Sequence, residues 1–351
     1  MKIYSDSSLY QPEHRYYLND IIKALWNNRS PDERDQIYGA WVRSYEAVSA
    51  IDEADVVLLT YKWNYYVEHS LVPQARNEIE AARSHQKKIL VFNGGDPPAN
   101  LVDPDVILFD NGYQSTKGLA YHSCQPFFLK DYLQVYCGGQ MQFREKSLVP
   151  TVGFCGQAAG SLMRTFFRKM RNVQRKIQYQ LGWSKWQPPP FETTSFRNHV
   201  LKQFDGHPRV RTNFIMHEKY HAGNDQEKAD FSQQKIAFVN NILDSDYTVC
   251  MRGGGNFSIR FYETLSLGRI PVFINTDCLL PFQGQIPYEQ IFPWIEMKDL
   301  PRAAEIVADF HSRLSAQEFL NLQIACRKLW VEHFTPDGFH KDLQIRVNEL
   351  R

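Results

Sequence analysis

Short apolar runs bounded by polar or turn-forming residues recur along this chain: Lys2-Ile-Tyr4, then residues 55–60 (DVVLLT), 88–92 (KILVF), 105–109 (DVILF), 246–250 (DYTVC) and 270–274 (IPVFI). Their β-branched and aromatic character and their brevity predict buried strands. Longer stretches with apolar residues at helical spacing separate them, as over 72–85. From about Pro301 onward the chain is helical in pattern, with Ile306, Phe310, Leu314, Leu329 and Val331 as packing positions. Strands alternating with helices predict an α/β protein built on parallel sheets. A first unit over 1–149 ends near residues 142–149, and Pro150 marks a linker. A second unit covers 150–325, and 326–351 forms a C-terminal helix.

The densest chemistry lies over 251–282, MRGGGNFSIRFYETLSLGRIPVFINTDCLLPF, where strand 246–250 turns into a helix and then into strand 270–274. α/β folds bind phosphates at such turns. Gly253, Gly254 and Gly255 let backbone approach a ligand closely and permit positive φ. Asn256 or Ser258 caps the following helix, whose first amides are unpaired and carry partial positive charge. Arg252 and Arg260 offer guanidinium forks that match phosphate oxygens. Glu263, three residues after Arg260, shares its helix face and suits ribose hydroxyls. Gly268 ends the helix and Pro271 prevents its continuation. The plainer alternative is a connecting turn with Arg260 and Glu263 forming a surface ion pair.

The segment RGGGNFSIRFYETLSLGRIPVF followed by TDCLLPF resembles the donor-binding signature of exostosin-like glycosyltransferases: a Gly-containing loop, S-x-R-x-x-E, and G-x-I-P-V ending near P-F. Upstream, Thr151-Val-Gly-Phe-Cys-Gly-Gln157 resembles the first strand and turn of that family's C-terminal domain, and Ser245-Asp-Tyr247 the lead-in to its donor loop. The resemblance covers the second half of the chain well and the first half faintly. It implies a GT-B architecture, two Rossmann-like domains facing each other across a cleft, with a C-terminal helix whose stretch Leu343 to Leu350 returns to the first domain, inverting transfer, and no obligatory metal or other cofactor. The donor contacts expected on this basis are Gly156, Arg164, His217, Arg252, Gly253, Gly254, Gly255, Asn256, Phe257, Ser258, Arg260 and Glu263. The co-substrate expected is a nucleotide sugar, uridine-linked, and the acceptor a hydroxyl of a glycan or glycolipid.

With 351 residues, 43% of them hydrophobic, the chain has ample material for two cores. A formal net charge of +1 argues against nucleic acid as principal partner. The opening Met-Lys-Ile-Tyr-Ser lacks the apolar core of a signal peptide, and no run is long enough to cross a bilayer. Six cysteines, Cys124, Cys137, Cys155, Cys250, Cys278 and Cys326, form no C-x-x-C pair. A glycan on the sequon Asn256-Phe-Ser258 would block the phosphate loop. These features point to the cytoplasm.

In parallel sheets ligands gather beyond the carboxyl ends of strands, which nominates residues 61–64, the turn 93–98 and Asn111-Gly112 as acceptor walls. Within that turn Asp96 is the candidate general base for the acceptor hydroxyl, against the plainer role of shaping a G-D-P turn. Arg260 is the second catalytic candidate, stabilising the charge on the departing diphosphate. His69 and His122 are reserves. No acidic residue occurs between Glu145 and Glu192, whereas Lys146, Arg164, Arg168, Lys169, Arg171, Arg175, Lys176 and Lys185 are basic. Arg164, Arg168, Arg171 and Arg175 share one helix face, solvated or used: Arg164 toward donor phosphates, the outer arginines toward an anionic membrane surface. His217-Glu218-x-x-His221 matches the zinc-peptidase spacing and supplies a rival reading, although residues 211–216 upstream look like a strand. Asp103-Pro-Asp105 and Asp244-Ser-Asp246 resemble D-x-D metal pairs but precede strands rather than follow them. A third reading keeps the nucleotide-sugar cradle in a catalytically silent binding module.

Overall fold

The computed structural model describes residues 1–112, 122–158, 162–218 and 228–350. Two five-stranded parallel sheets organise it. The first contains β1 (Lys2–Tyr4), β2 (Glu46–Ala47), β3 (Val56–Leu58), β4 (Ile89–Phe92) and β5 (Val106–Phe109), in the order β2-β1-β3-β4-β5. The second contains β6 (Thr151–Gln157), β7 (Arg211–His217), β8 (Tyr247–Cys250), β9 (Ile270–Asn275) and β10 (Trp294–Glu296), in the order β10-β9-β8-β6-β7. Counted from its own first strand, each sheet runs 2-1-3-4-5, a doubly wound order whose ligand crevice opens where the winding reverses. The protein is thus α/β, two Rossmann-like units of GT-B type. In the second unit the reversal falls between β6 and β8, directly beneath the glycine loop.

Helices of the first unit are α1 (Asp20–Leu25), α2 (Pro31–Tyr38), α3 (Trp63–Glu68) and α4 (Val72–Ser84), followed by α5 (Tyr132–Cys137). Those after β6 are α6 (Leu162–Gln180), α7 (Thr193–Lys202), α8 (Lys228–Leu243), α9 (Ile259–Ser266), α10 (Tyr288–Ile291), α11 (Ala303–Arg313), α12 (Ala316–Leu329) and α13 (Pro336–Leu350). β3, β4, β5 and β8 are buried at every position, the condition that continuous apolar runs meet when helices cover both sheet faces. α4 carries Pro73 in its first turn and buries Ala75, Ile79 and Ala82 on one stripe. Ser315 and Glu318 close a reciprocal capping box on α12.

The chain crosses between units twice. On the way out, ahead of Pro150, Asp131 pairs with Arg327 at 2.6 Å and Arg144 pairs with the fully buried Asp246 at 2.7 Å. On the way back, α13 brings Asp337 to accept the Trp41 N–H at 2.8 Å and stacks the His340 ring on Trp41 with centroids 3.7 Å apart. Phe109, Phe282 and Phe339 join the two halves in one apolar cluster. Among the described residues no helix is long and apolar enough to cross a membrane.

Candidate active site

A cleft opens between the carboxyl ends of the two sheets. Asp96, Pro98, Asn100 and Gly112 line it from the first unit; Gln187, residues 188–190, Arg252, Gly254 and Asn256 line it from the second. On the first side, β4 and β5 are paired Ile89 to Val106 through Phe92 to Phe109, so they end level and their following loops meet. Buried Asp110 joins these loops by accepting from Ala99 N (2.5 Å), Gly112 N (2.8 Å) and Asn93 Nδ2 (3.1 Å). Asn64 Oδ1 also accepts the Gly94 N–H at 3.0 Å. Asp96 is therefore held on a braced turn. Burial raises the Asp110 carboxyl above its usual range, opposed by those same three donors.

Opposite, the glycine loop is braced by its own side chains. Asn256 Oδ1 accepts from Arg252 Nη1 (2.9 Å) and Thr276 Oγ1 (2.8 Å), while its Nδ2 donates to Asp277 O (2.9 Å). Asn256 thus shapes the loop, and it does not cap α9. Ser258 occupies the N-cap position without a side-chain capping bond, leaving the first amides of α9 without a side-chain cap. Gly253, Gly254 and Gly255 do not take positive φ, contrary to expectation. Their absent side chains serve close approach instead. A Cβ on Gly254 would lie 2.7 Å from Asp96 Oδ2, and one on Gly255 would lie 2.5 Å from the Phe257 ring and 3.1 Å from Asp96 Oδ1. Phe257 folds over Gly255, and its carbonyl accepts the Gly253 N–H at 3.0 Å.

Asp96 thus reaches across the cleft onto the loop. Burial raises its carboxyl above the usual range, against the opposing pull of Arg252 and of the Gly255 N–H that donates to it. An anion already sits on the loop amide, and it belongs to the protein. Arg252 is buried under Phe191, its guanidinium carbon 5.4 Å from the ring centroid, and burial lowers it to about 10, leaving it charged at neutral pH. Arg197 of α7 is a second cation at this place, which pattern reading missed: its Nη1 donates to Gln157 O at 3.3 Å, and its Nη2 would lie 3.5 Å from a Cβ on Gly253. α7 is seated there by Glu192, which accepts from Thr194 N and Ser195 N, and by Thr193 Oγ1, which donates to Gly253 O. Burial alone would raise Glu192, but these bonds take it below its usual value.

Arg260 and Glu263 do not form a surface ion pair. Arg260 lies over Phe154 at 4.1 Å and donates from Nη2 to Cys155 O at 2.7 Å. Gly156 makes room for it, since a Cβ there would meet Arg260 Nη2 at 2.8 Å. Burial lowers its pKa, with Cys250, Glu263 and Cys155 opposing. Buried Glu263 receives Tyr132 Oη at 2.7 Å and Lys235 Nζ at 2.8 Å on the same oxygen, Oε1. His217 ends strand β7, 3.7 Å from Cys155 Sγ, so the helix that a zinc-peptidase pair requires is absent at that end of the motif; His221 lies outside the described residues. Arg164 belongs to α6, but its side chain is outside the described residues. His69 packs in an aromatic group, edge-on to His14 and tilted against Tyr65. His122 is buried, which lowers it to about 4. Three of the four D-x-D aspartates are engaged elsewhere: Asp103 and Asp105 with Arg83, Asp246 with Arg144 and Ser147. Among the described residues no group of three or more His, Cys, Asp or Glu side chains is placed to hold a metal ion.

Parallel sheets, a switch-point glycine loop and cations beside it form the arrangement at which doubly wound folds bind phosphate-bearing ligands. Residues 183–310 match the Exostosin GT47 domain, a stretch that includes the loop, α9 and β9, and over it the chain is similar to exostosin-like GT47 glycosyltransferases. A probable glucuronosyltransferase of Oryza sativa subsp. japonica is 38% identical over 61 residues, covering 17% of this chain and 14% of that protein. A probable beta-1,4-xylosyltransferase of Arabidopsis thaliana is 31% identical over 108 residues, 30% of this chain and 26% of that protein. The chain thus spans about a quarter or less of the length of these relatives. A glycosyltransferase crystal structure from Rickettsia africae ESF-5 overlaps 92% of this chain and 75% of that one at 9% identity, with a TM-score of 0.32, too slight a likeness to carry an argument.

Proposed function

We propose that this chain transfers a sugar from a nucleotide-diphosphate donor, uridine-linked, to a hydroxyl of a glycan or glycolipid, with inversion at the anomeric carbon and without a metal. The observation that carries the reading is the glycine loop at the switch point of the second sheet, open to a cleft whose far wall presents a carboxylate. The Exostosin GT47 match across this loop supports the same class. The incoming diphosphate takes the amides around Gly254 and Gly255, flanked by Arg252 and Arg197, and frees Asp96. Asp96 then accepts the acceptor hydroxyl's proton as the oxygen attacks the anomeric carbon and the carbon–oxygen bond to the diphosphate breaks. The charge released onto the diphosphate meets fixed amide dipoles and guanidinium groups, the electrostatic term that usually contributes most. Those full charges do the work a divalent cation does elsewhere. Glu263 keeps Oε2 for a ribose hydroxyl, and the reaction runs in the cytoplasm.

The test is nucleotide release from a panel of nucleotide sugars by the pure chain, with and without chelator. Release that persists in chelator supports metal-free transfer, and chelator-sensitive release contradicts that part. Tight nucleotide binding without turnover assigns a silent binding module; absence of both binding and release removes the donor reading.

A further inference from the structure

Helix α6 turns its polar side inward and its apolar side out. Arg168 Nη1 donates to Thr194 Oγ1 at 3.0 Å, Asn172 Nδ2 to Pro189 O at 3.4 Å, and Lys176 Nζ to Pro190 O, which fixes that face against the 189–194 segment. On the outer side Met163, Phe166, Phe167, Met170, Val173 and Ile177 follow one another at helical spacing, each 49 to 71% exposed. Leu181 continues the stripe, and Trp183, 77% exposed, stands at its end. A helix of a water-soluble surface has the reverse pattern. At 1.5 Å per residue the stripe runs for about 28 Å. Single exposed apolar residues are ordinary, but a row of this length, broken by Gln174, marks a contact surface.

Charge identifies what covers it. Arg171 and Arg175 border the stripe on one side and Lys169 on the other, all exposed, and the helix carries no acidic residue. A second copy packed on this face would bring two basic borders together with nothing to neutralise them. An anionic lipid surface satisfies both features: apolar side chains enter the headgroup boundary, flanking arginine and lysine stems lie along it with their charges at the phosphates, and a tryptophan sits at the interface. We propose that α6 is a docking helix that lies flat on an anionic bilayer with the stripe from Met163 to Leu181 sunk into the headgroup boundary. The inference rests on the helix alone and is independent of the transferase reading. It gives the apolar side of the helix, not the arginine face by itself, the principal contact.

Co-sedimentation of the full chain with phosphatidylcholine vesicles, pure or containing about one-third phosphatidylglycerol, tests it. Binding is expected at least about tenfold stronger on the anionic vesicles and weakened by added salt. The replacements Phe166→Ser, Phe167→Ser and Met170→Ser made together, and separately Arg171→Glu with Arg175→Glu, should each reduce it at least about tenfold. Every replaced side chain is exposed, so the thermal midpoint should hold, and circular dichroism checks it. Brominated lipid should quench emission in wild type more than in Trp183→Phe. Absence of vesicle binding at low salt, equal binding to neutral vesicles, or retention of binding by the serine variant overturns the proposal. So does a wild-type dimer, seen by light scattering, that the serine variant makes monomeric while neither binds lipid.

Discussion

Replacing Asp96 by Asn separates the two tasks assigned to that carboxylate. In the free protein it lies on the glycine loop, accepting from the Gly255 N–H and drawn by Arg252. A diphosphate must displace it and then lie beside it. Two opposite-signed effects follow. For binding, removing the charge removes a like-charge neighbour of the diphosphate and weakens a competing hydrogen bond. At about 5 Å and an effective dielectric of about 20, one unit of repulsion amounts to about 3 kcal/mol. Asp96 sits at an open mouth, so solvent screening leaves about 1–2 kcal/mol, or roughly 5- to 30-fold tighter nucleotide binding. For turnover, loss of a general base slows transfer by about 10²- to 10⁴-fold. Titration calorimetry with a nucleoside diphosphate and single-turnover transfer assays read the two separately. Unchanged or weaker binding refutes the displacement argument, and unchanged transfer leaves Asp96 as a turn-former. Wild-type kcat/KM should also fall as pH drops through the raised carboxyl pKa, above the ordinary 3.8, and Asp96→Asn should lose that limb.

Arg260→Ala should destabilise the fold by about 2–4 kcal/mol, because it removes the stack on Phe154 and the bond to Cys155 O from a packed interior; an unchanged denaturation midpoint contradicts that. Asp110→Ala should cost about 3 kcal/mol or more and open the 93–99 turn to protease, since it strips two backbone amides and Asn93 of their acceptor; resistance equal to wild type refutes the brace. Glu263→Gln should cost about 2 kcal/mol by leaving Lys235 facing a neutral group, and should raise the nucleotide dissociation constant; an unaltered constant removes the ribose role. Burial lowers His340 from 6.5 to about 3 against the opposing charge of Asp20, so the unfolded state binds a proton that the folded state refuses. Stability should therefore rise with pH between about 3 and 6.5, by about 1.4 kcal/mol per pH unit from this residue. His340→Phe should reduce that slope in urea titrations, and an unchanged slope counts against the assignment.

What could be read before folding was what neighbours in sequence decide. Runs such as 88–92 and 105–109 declare themselves because helices cover both their faces, and the glycine loop because strand, turn and helix lie consecutively. β2, two exposed residues long, and β10 carry no such pattern. Edge positions leave little for periodicity to record. The site residues contributed from elsewhere, Arg197 from α7 and Asp110 beneath the turn, gain meaning only once the winding brings the carboxyl ends together. Arg260 and Gly156 illustrate the converse: the motif spacing is right, yet the arginine turns toward β6 and the glycine accommodates it. On α6, attention to the arginines hid the apolar row beside them, because burial cannot be seen in a sequence and such rows ordinarily face a core.

The central claim is that main-chain amides around Gly254 and Gly255 hold the donor's diphosphate between Arg252 and Arg197. A crystal structure with uridine diphosphate tests it most directly, grown with chelator present. The account predicts phosphate oxygens on those amides and the Asp96 carboxylate withdrawn from Gly255. A diphosphate bound elsewhere, or an Asp96 still seated on the loop beside it, would contradict the account.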